Sequence, residues 1–226
     1  DKMEIIADKG NGNYAYIDNL QEARRVLVKE FGGTLFTIAK DVKFQVEFNP
    51  SKVQAYRLIG YENRLLNDED FNNDRKDAGE MGSGHNVTAM YELIPADSDE
   101  KIPSVDPLKY QTTGRHGPQD EKKFNNECLT IKIRYKKPDG ITSMLMEKPV
   151  RDYVTDFEDA SDNLRFAAAV SEFGMLLSNS EYKGGSTYDE VIRLARQARG
   201  SDVEGYRAEF VRLVETAKGI NTQVDK

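Results

Sequence analysis

The sequence predicts an α+β fold: a small antiparallel β-sandwich followed by about three C-terminal helices, preceded by a strand–helix piece that belongs with a larger α/β layer. Three observations predict it. Val42–Phe48 and Cys128–Tyr135 alternate strictly between apolar and polar residues, the period of half-buried strands. From about Ser161 the apolar period changes to that of a helix. Residues 1–40 offer too few elements to bury their own apolar side chains. The expected divisions are therefore 1–40, 41–150 and 151–226.

In chain order, Lys2–Ala7 is a short apolar run that reads as a buried strand, and 8–13 form a turn cluster around Gly10 and Gly12. Tyr14–Ile17 is a second short apolar piece. Asp18 or Asn19 caps a helix whose apolar positions are Leu20, Ala23, Val26, Leu27 and Phe31. Gly32 and Gly33 should weaken it by about 1 kcal/mol each. Leu35, Ile38 and Ala39 keep the stripe, so more helix is expected after a break.

Asp41–Tyr61 reads as a hairpin. Val42, Phe44, Val46 and Phe48 share one face, opposite Lys43, Gln45 and Glu47. Asn49-Pro50-Ser51 turns the chain, and Val53–Tyr61 returns apolar on both faces, as a strand inside a sheet does. A long acidic loop follows, then a strand over His85–Ile94 stopped by Pro95. The stretch 96–127 reads as loop, with a possible strand over 108–111. Cys128–Tyr135 and Ile141–Glu147 form a second hairpin around Lys137-Pro138-Asp139-Gly140. Three helices close the chain. The first carries Leu164, Ala167, Ala168, Ser171, Met175 and Leu176; the second carries Tyr188, Val191, Ile192, Leu194, Ala195 and Ala198. The third opens at Ser201-x-x-Glu204, turns Tyr206, Phe210, Leu213, Val214 and Ala217 inward, and closes at Gly219.

Composition excludes several classes. A formal charge of −7 disfavours nonspecific nucleic-acid binding, which needs a positive surface. No run of about 18 apolar residues exists to form a transmembrane helix. One cysteine, Cys128, excludes an internal disulfide, and His85 and His116 stand far from any residue that would complete a triad or zinc site.

KMEIIADKGNGNYAYIDNLQEARRVL resembles the last strand, Gly-rich loop and final helix of a von Willebrand factor A-type domain. Continued through AKDVKFQVEFNPSKVQAYRLIGYENRLL, with RFAAAVSEFGMLL and GYRAEFVRLVETA in the C-terminal half, the chain resembles bacterial A-domain proteins of the YfbK kind. The resemblance implies a fragment: the end of an A domain plus the domain that follows it. It also implies a Mg²⁺ site, held by Asp-x-Ser-x-Ser, only in a missing upstream A domain. That motif is absent here. Asp159-Ala160-Ser161-Asp162-Asn163 is the nearest string, and it sits where a helix cap belongs. The same resemblance implies export, a periplasmic or cell-surface location, and a possible membrane anchor upstream.

Within the chain the candidate ion site is Asp68-x-Asp70-x-Asn72-x-Asp74, which has the rhythm of a Ca²⁺ loop. It lacks the glycine expected at Asn73 and the bidentate acid expected at Gly79, with Glu80 one residue late. The bland reading is a solvated acidic loop. Gly10-x-Gly12 lacks the third glycine of a dinucleotide site and reads as a turn. The two histidines read as surface residues, and Cys128 as a small buried hydrophobe. Lys132, Arg134, Lys136 and Lys137 place charge on one strand face, which is either solvated or an anion contact. The expected function is a noncatalytic interaction or scaffolding module with a protein partner. The alternatives are a carbohydrate-binding sandwich using Tyr110, Tyr153 and Tyr182, and a glycan-acting enzyme using loop carboxylates.

Overall fold

The computed structural model describes residues 2–10, 12, 14–61, 65–100 and 124–224. Its elements run α1 (Lys2–Lys9), α2 (Leu20–Arg24), a π-helical turn (Arg25–Lys29), α3 (Phe31–Leu35), β1 (Thr37–Phe48) and β2 (Val53–Ile59). A 3₁₀ turn (Asp68–Asn72), β3 (Gly79–Gly82), β4 (Met90–Pro95), β5 (Glu127–Lys136) and β6 (Met144–Arg151) follow. The chain ends with α4 (Asp162–Leu177), α5 (Tyr188–Gln197) and α6 (Tyr206–Val224). The fold is mixed α+β, with strands in two sheets, three C-terminal helices and short helices at the N-terminus, and it divides into two units.

The first unit holds the N-terminal helices and a four-stranded sheet in the order β3-β1-β5-β6. All its pairs are antiparallel. The hairpin expected over Asp41–Tyr61 does not form. Its turn is real: Asn49 C=O accepts from the N–H groups of Lys52 and Val53 at 2.9 Å each. But the Asn49 carboxamide donates to the Phe124 and Glu127 carbonyls, and its N–H to Cys128 C=O, which anchors the turn to the start of β5. β1 therefore pairs with β5, Phe44 opposite Ile133 and Val46 opposite Ile131, while β2 leaves to pair with β4. The second expected hairpin is present: β5 and β6 pair from Tyr135 and Met144 onward, and Gly140 N–H closes the turn on Lys137 C=O.

Lys2–Ala7, expected as a strand, is helical. A six-residue apolar run cannot separate the two periods, and Met3, Ile6 and Ala7 also suit a helix face. Gly10 and Gly12 close α1, their N–H groups bonding the carbonyls of Ile6 and Ala7. Asn19 caps α2 through Glu22 N–H at 2.8 Å. The helix then passes into the π turn at Arg25, earlier than the glycines. It ends at Leu35, and β1 starts at Thr37 where more helix was expected. The glycines serve close approach instead. α3 lies on β3, and a Cβ on Gly82 would fall 1.5 Å from the Gly33 carbonyl oxygen.

The second unit holds most of β2 and β4 with the C-terminal helices. α4, α5 and α6 enclose a core of Ala169, Phe173, Val191, Ile192, Leu194, Ala195, Val211 and Val214. Phe210 meets Phe166 and Phe173 edge to face, at 5.2 and 5.6 Å between centroids. Each large buried side chain contributes roughly 1.5–3 kcal/mol. The α5 stripe is the expected one. On α4 the buried face is Ala169 and Phe173, and Leu164 is exposed. On α6 Val211 is buried where Leu213 was expected. Ser161 and Thr187 cap α4 and α5 through Leu164 and Glu190 N–H. α6 is capped by Asp202, whose carboxylate accepts from Arg207 and Ala208 N–H, and it runs through Gly219 to Val224. Ser201-x-x-Glu204 is not its opening.

Candidate functional site

Strand alternation puts Lys132, Arg134 and Lys136 on one face of β5. Lys43 of β1 stands opposite Arg134 in register and joins them. This is a cationic sheet face. Residues 68–78 lie across it as a strap.

Lys43 is 4% exposed, and its ammonium donates to the carbonyls of Asp70 at 3.1 Å and Asn73 at 2.5 Å. Lys136 donates to Asp74 C=O at 2.7 Å and pairs with the Asp41 carboxylate at 2.7 Å. Arg134 donates to the Asn72 carboxamide at 3.0 Å and to Ser143 Oγ at 2.8 Å. The Asp74 carboxylate accepts from Ser143 Oγ–H and stands 3.9 Å from Arg134. Phe71 is buried under the Arg134 guanidinium, 5.7 Å away. Lys132 completes the face by pairing with Glu47 at 2.9 Å.

The titrations follow from these contacts. The Ser143 hydroxyl and N–H, then Arg134 and Lys136, hold the Asp74 carboxyl below its ordinary range. Burial alone would raise Asp41, but Lys136 and the Ala78 N–H outweigh it and hold it low. Burial raises Asp70 too, and Asn67 and Lys76 reverse that. Asp77 goes the other way, raised by burial and by Asp41 beside it. Asp41 sits in the left-handed region, φ 50°, at an irregularity in the β1–β5 pairing.

The proposed calcium-loop residues thus face different partners. Asp68 opens the 3₁₀ turn, Asp70 pairs with Lys76 at 3.3 Å, Asn72 faces Arg134, and Asp74 faces Ser143. Among the described residues no group of three or more His, Cys, Asp or Glu is placed to hold a metal ion. The acidic loop and the basic strand, read separately in the sequence, are two halves of one intramolecular contact. Three of its members gave no sequence signal: Asp41, Ser143, and Lys43, which the alternation placed toward solvent. Lys137 lies in the β5–β6 turn.

The other candidates are structural. His85 is not a plain surface residue: its Nδ1 accepts from Gly82 N–H at 3.1 Å, and its ring lies against Gly33. Burial pushes the Cys128 thiol up, away from reactive thiolate. Ser161 in Asp159–Asn163 is a helix cap. Tyr182 lies under the Arg57 guanidinium at 4.0 Å, and Tyr153 is exposed elsewhere. Tyr110 and His116 lie outside the described residues.

Fold and strap define an α+β chain in which residues 68–78 cover one sheet face through Lys43, Arg134 and Lys136. The family model described as "Uncharacterized protein YfbK, C-terminal" matches residues 33–220, and the chain belongs to that family. It is also 44% identical over 218 residues to the protein named "Uncharacterized protein YfbK" of Escherichia coli (strain K12). That match covers 96% of this chain and 36% of the relative, so the chain spans about a third of the relative's length. No solved structure matches. Among the described residues no helix is long and apolar enough to cross a membrane.

Proposed function

We propose that this chain is a noncatalytic interaction or scaffolding module of a von Willebrand factor A-domain protein at the bacterial cell envelope. The observation that carries the reading is the second face of the four-stranded sheet. Opposite the strapped side, Phe44, Val46, Ile131, Ile133, Met144 and Met146 share one surface by register. Phe44 is 49% and Met146 50% exposed. Val46, Ile131 and Ile133 between them are half-buried, and exposed apolar side chains gathered on one face mark interaction surfaces. The upstream Mg²⁺ site implied by the resemblance belongs to this reading, and no residue of this chain is assigned to it.

The test is capture of partners by a polypeptide of the relative's length, with and without Mg²⁺, using wild type and the Phe44→Asp/Met146→Asp variant. The reading expects partners that the variant loses while its thermal transition is kept. Equal capture by both removes the sheet face as the interaction surface.

A further inference from the structure

The chain has six methionines, and two of them, Met144 and Met146, stand two residues apart on β6. Strand alternation puts both on the face of Phe44, Val46, Ile131 and Ile133. Met144 lies opposite Tyr135 and Met146 opposite Ile133. They are 36% and 50% exposed. β6 is the outer strand in the order β3-β1-β5-β6, so among the described residues no further strand lies beyond it. Met81, Met90 and Met175 are half-buried, and Met3, 62% exposed, belongs to α1.

These two sulfurs are the reactive atoms of an otherwise hydrocarbon face. Phe44, Val46, Ile131 and Ile133 carry nothing that a mild oxidant attacks, whereas a thioether has a lone pair that needs no deprotonation. The chain's one thiol does not compete well: Cys128 is half-buried, and burial pushes its thiol up, away from the reactive thiolate.

We propose that Met144 and Met146 form a paired oxidation site, whose sulfoxides turn the apolar sheet face polar and switch off its binding. The oxidant is hydrogen peroxide. A sulfur lone pair takes one peroxide oxygen: the S–O bond forms and the O–O bond breaks. The displaced hydroxide takes the proton of the transferred oxygen and leaves as water. Sulfur gives up two electrons and the peroxide gains them. Each product is a polar, chiral sulfoxide where a flexible apolar side chain stood. A partner covering it would leave a strong acceptor unsatisfied. Sulfoxide reductases reverse the step, the oxygen leaving as water while two thiols close a disulfide. The inference rests on the sheet-face reading, and it names how that surface is regulated.

The test treats the folded chain with hydrogen peroxide, maps sulfoxides by peptide mass and reads the face by retention on a phenyl matrix. Sulfoxide should form at Met144 and Met146 at least fivefold faster than at Met175. Retention should fall with it while the thermal transition is kept. Methionine sulfoxide reductases with dithiothreitol should restore retention. Met144→Leu/Met146→Leu conserves volume and should hold its retention through the same treatment. Met3→Leu should lose retention as wild type does. Equal rates at Met144, Met146 and Met175 would overturn the inference, as would equal loss of retention by the double leucine variant. Partner capture by a polypeptide of the relative's length separates the two readings. If oxidised wild type keeps partners that Phe44→Asp/Met146→Asp loses, the face stands and the switch is overturned. If untreated wild type and that variant capture alike, the sheet-face reading fails, and the oxidation site stands or falls by rates and retention.

Discussion

The C-terminal helices and the strapped sheet are held by different physics. In the helices Val191 and Val214 are fully buried, and aromatic rings close the gaps between α4, α5 and α6. On the strapped face the buried groups are an ammonium and one phenyl ring, and the contacts are carbonyls, carboxylates, a carboxamide and a hydroxyl. Apolar packing tolerates pH and loses most when volume is removed. A polar strap is worth little net per contact, but a partner left unsatisfied is costly. The sharpest break in the comparison is therefore a cavity against an orphaned polar group. Phe173→Ala should cost about 3–5 kcal/mol, seen as a lower denaturation midpoint with unchanged slope. Lys43→Ala should cost about 2–3 kcal/mol, because two carbonyls lose their donor under cover. Lys43→Met, which keeps the stem, should recover only part of that. If Lys43→Ala were neutral, the strap would not hold the sheet.

Acid should separate the two regions. Asp41, Asp70 and Asp74 titrate below ordinary aspartate in the folded chain. Their contribution is full above the ordinary value near pH 4 and is lost as pH falls through the lower folded values. Asp77, raised, has the opposite sign: its proton stabilises at low pH and is given up as pH rises. Three groups against one favour net loss in acid. Exchange protection of the Ala78 and Ser143 amides should fall below about pH 4 while that of α5 persists. Asp74→Asn should remove part of that dependence at the Ser143 amide. Simultaneous loss in both regions would erase the distinction.

A smaller effect sits inside the helices. Among the described residues Glu172 Oε2 is buried without a hydrogen-bond partner, and burial followed by Glu190 raises its carboxyl, with Arg193 opposing. The charged form costs stability, and the cost appears as pH rises through the raised value. Glu172→Gln should stabilise at pH 7 by less than about 1 kcal/mol, allowing for solvent screening, and the gain should vanish by about pH 4. A gain independent of pH would point to packing instead of charge.

What was legible in the sequence divides along the same line. The α5 stripe could be read because its partners impose a local period. α4 is apolar nearly all round, from Leu164 and Phe166 to Met175 and Leu177, so period alone could not choose Phe173 over Leu164 as its buried face. The Asn49–Lys52 turn was legible and the pairing of β1 was not: turn chemistry is local, whereas Phe44 meets Ile133 far along the chain. The strap shows the same limit. Asn72 and Arg134 are 62 residues apart, and each half reads as a site only while the other is unseen. An apolar surplus over residues 1–40 is legible from composition and length alone, and Leu20, Leu27 and Val28 stay exposed.

The smallest expected effect bears on the calcium reading of Asp68, Asp70, Asn72 and Asp74. A calcium loop needs six or more oxygens turned toward one point. Here the Asp70 carboxylate is engaged by Lys76, the Asn72 carboxamide by Arg134 and the Asp74 carboxylate by Ser143, while two strap carbonyls bind Lys43. Binding an ion would mean breaking those contacts and bringing a dication toward Lys43, Arg134 and Lys136. Millimolar Ca²⁺ should then leave the thermal midpoint within about 1 °C, whereas a site filled a hundredfold over its Kd would add about 2.7 kcal/mol. A saturable rise that Asp74→Asn abolishes would show that the strap exchanges its lysine and arginine partners for the ion, and that this sheet face is held less firmly than its contacts suggest.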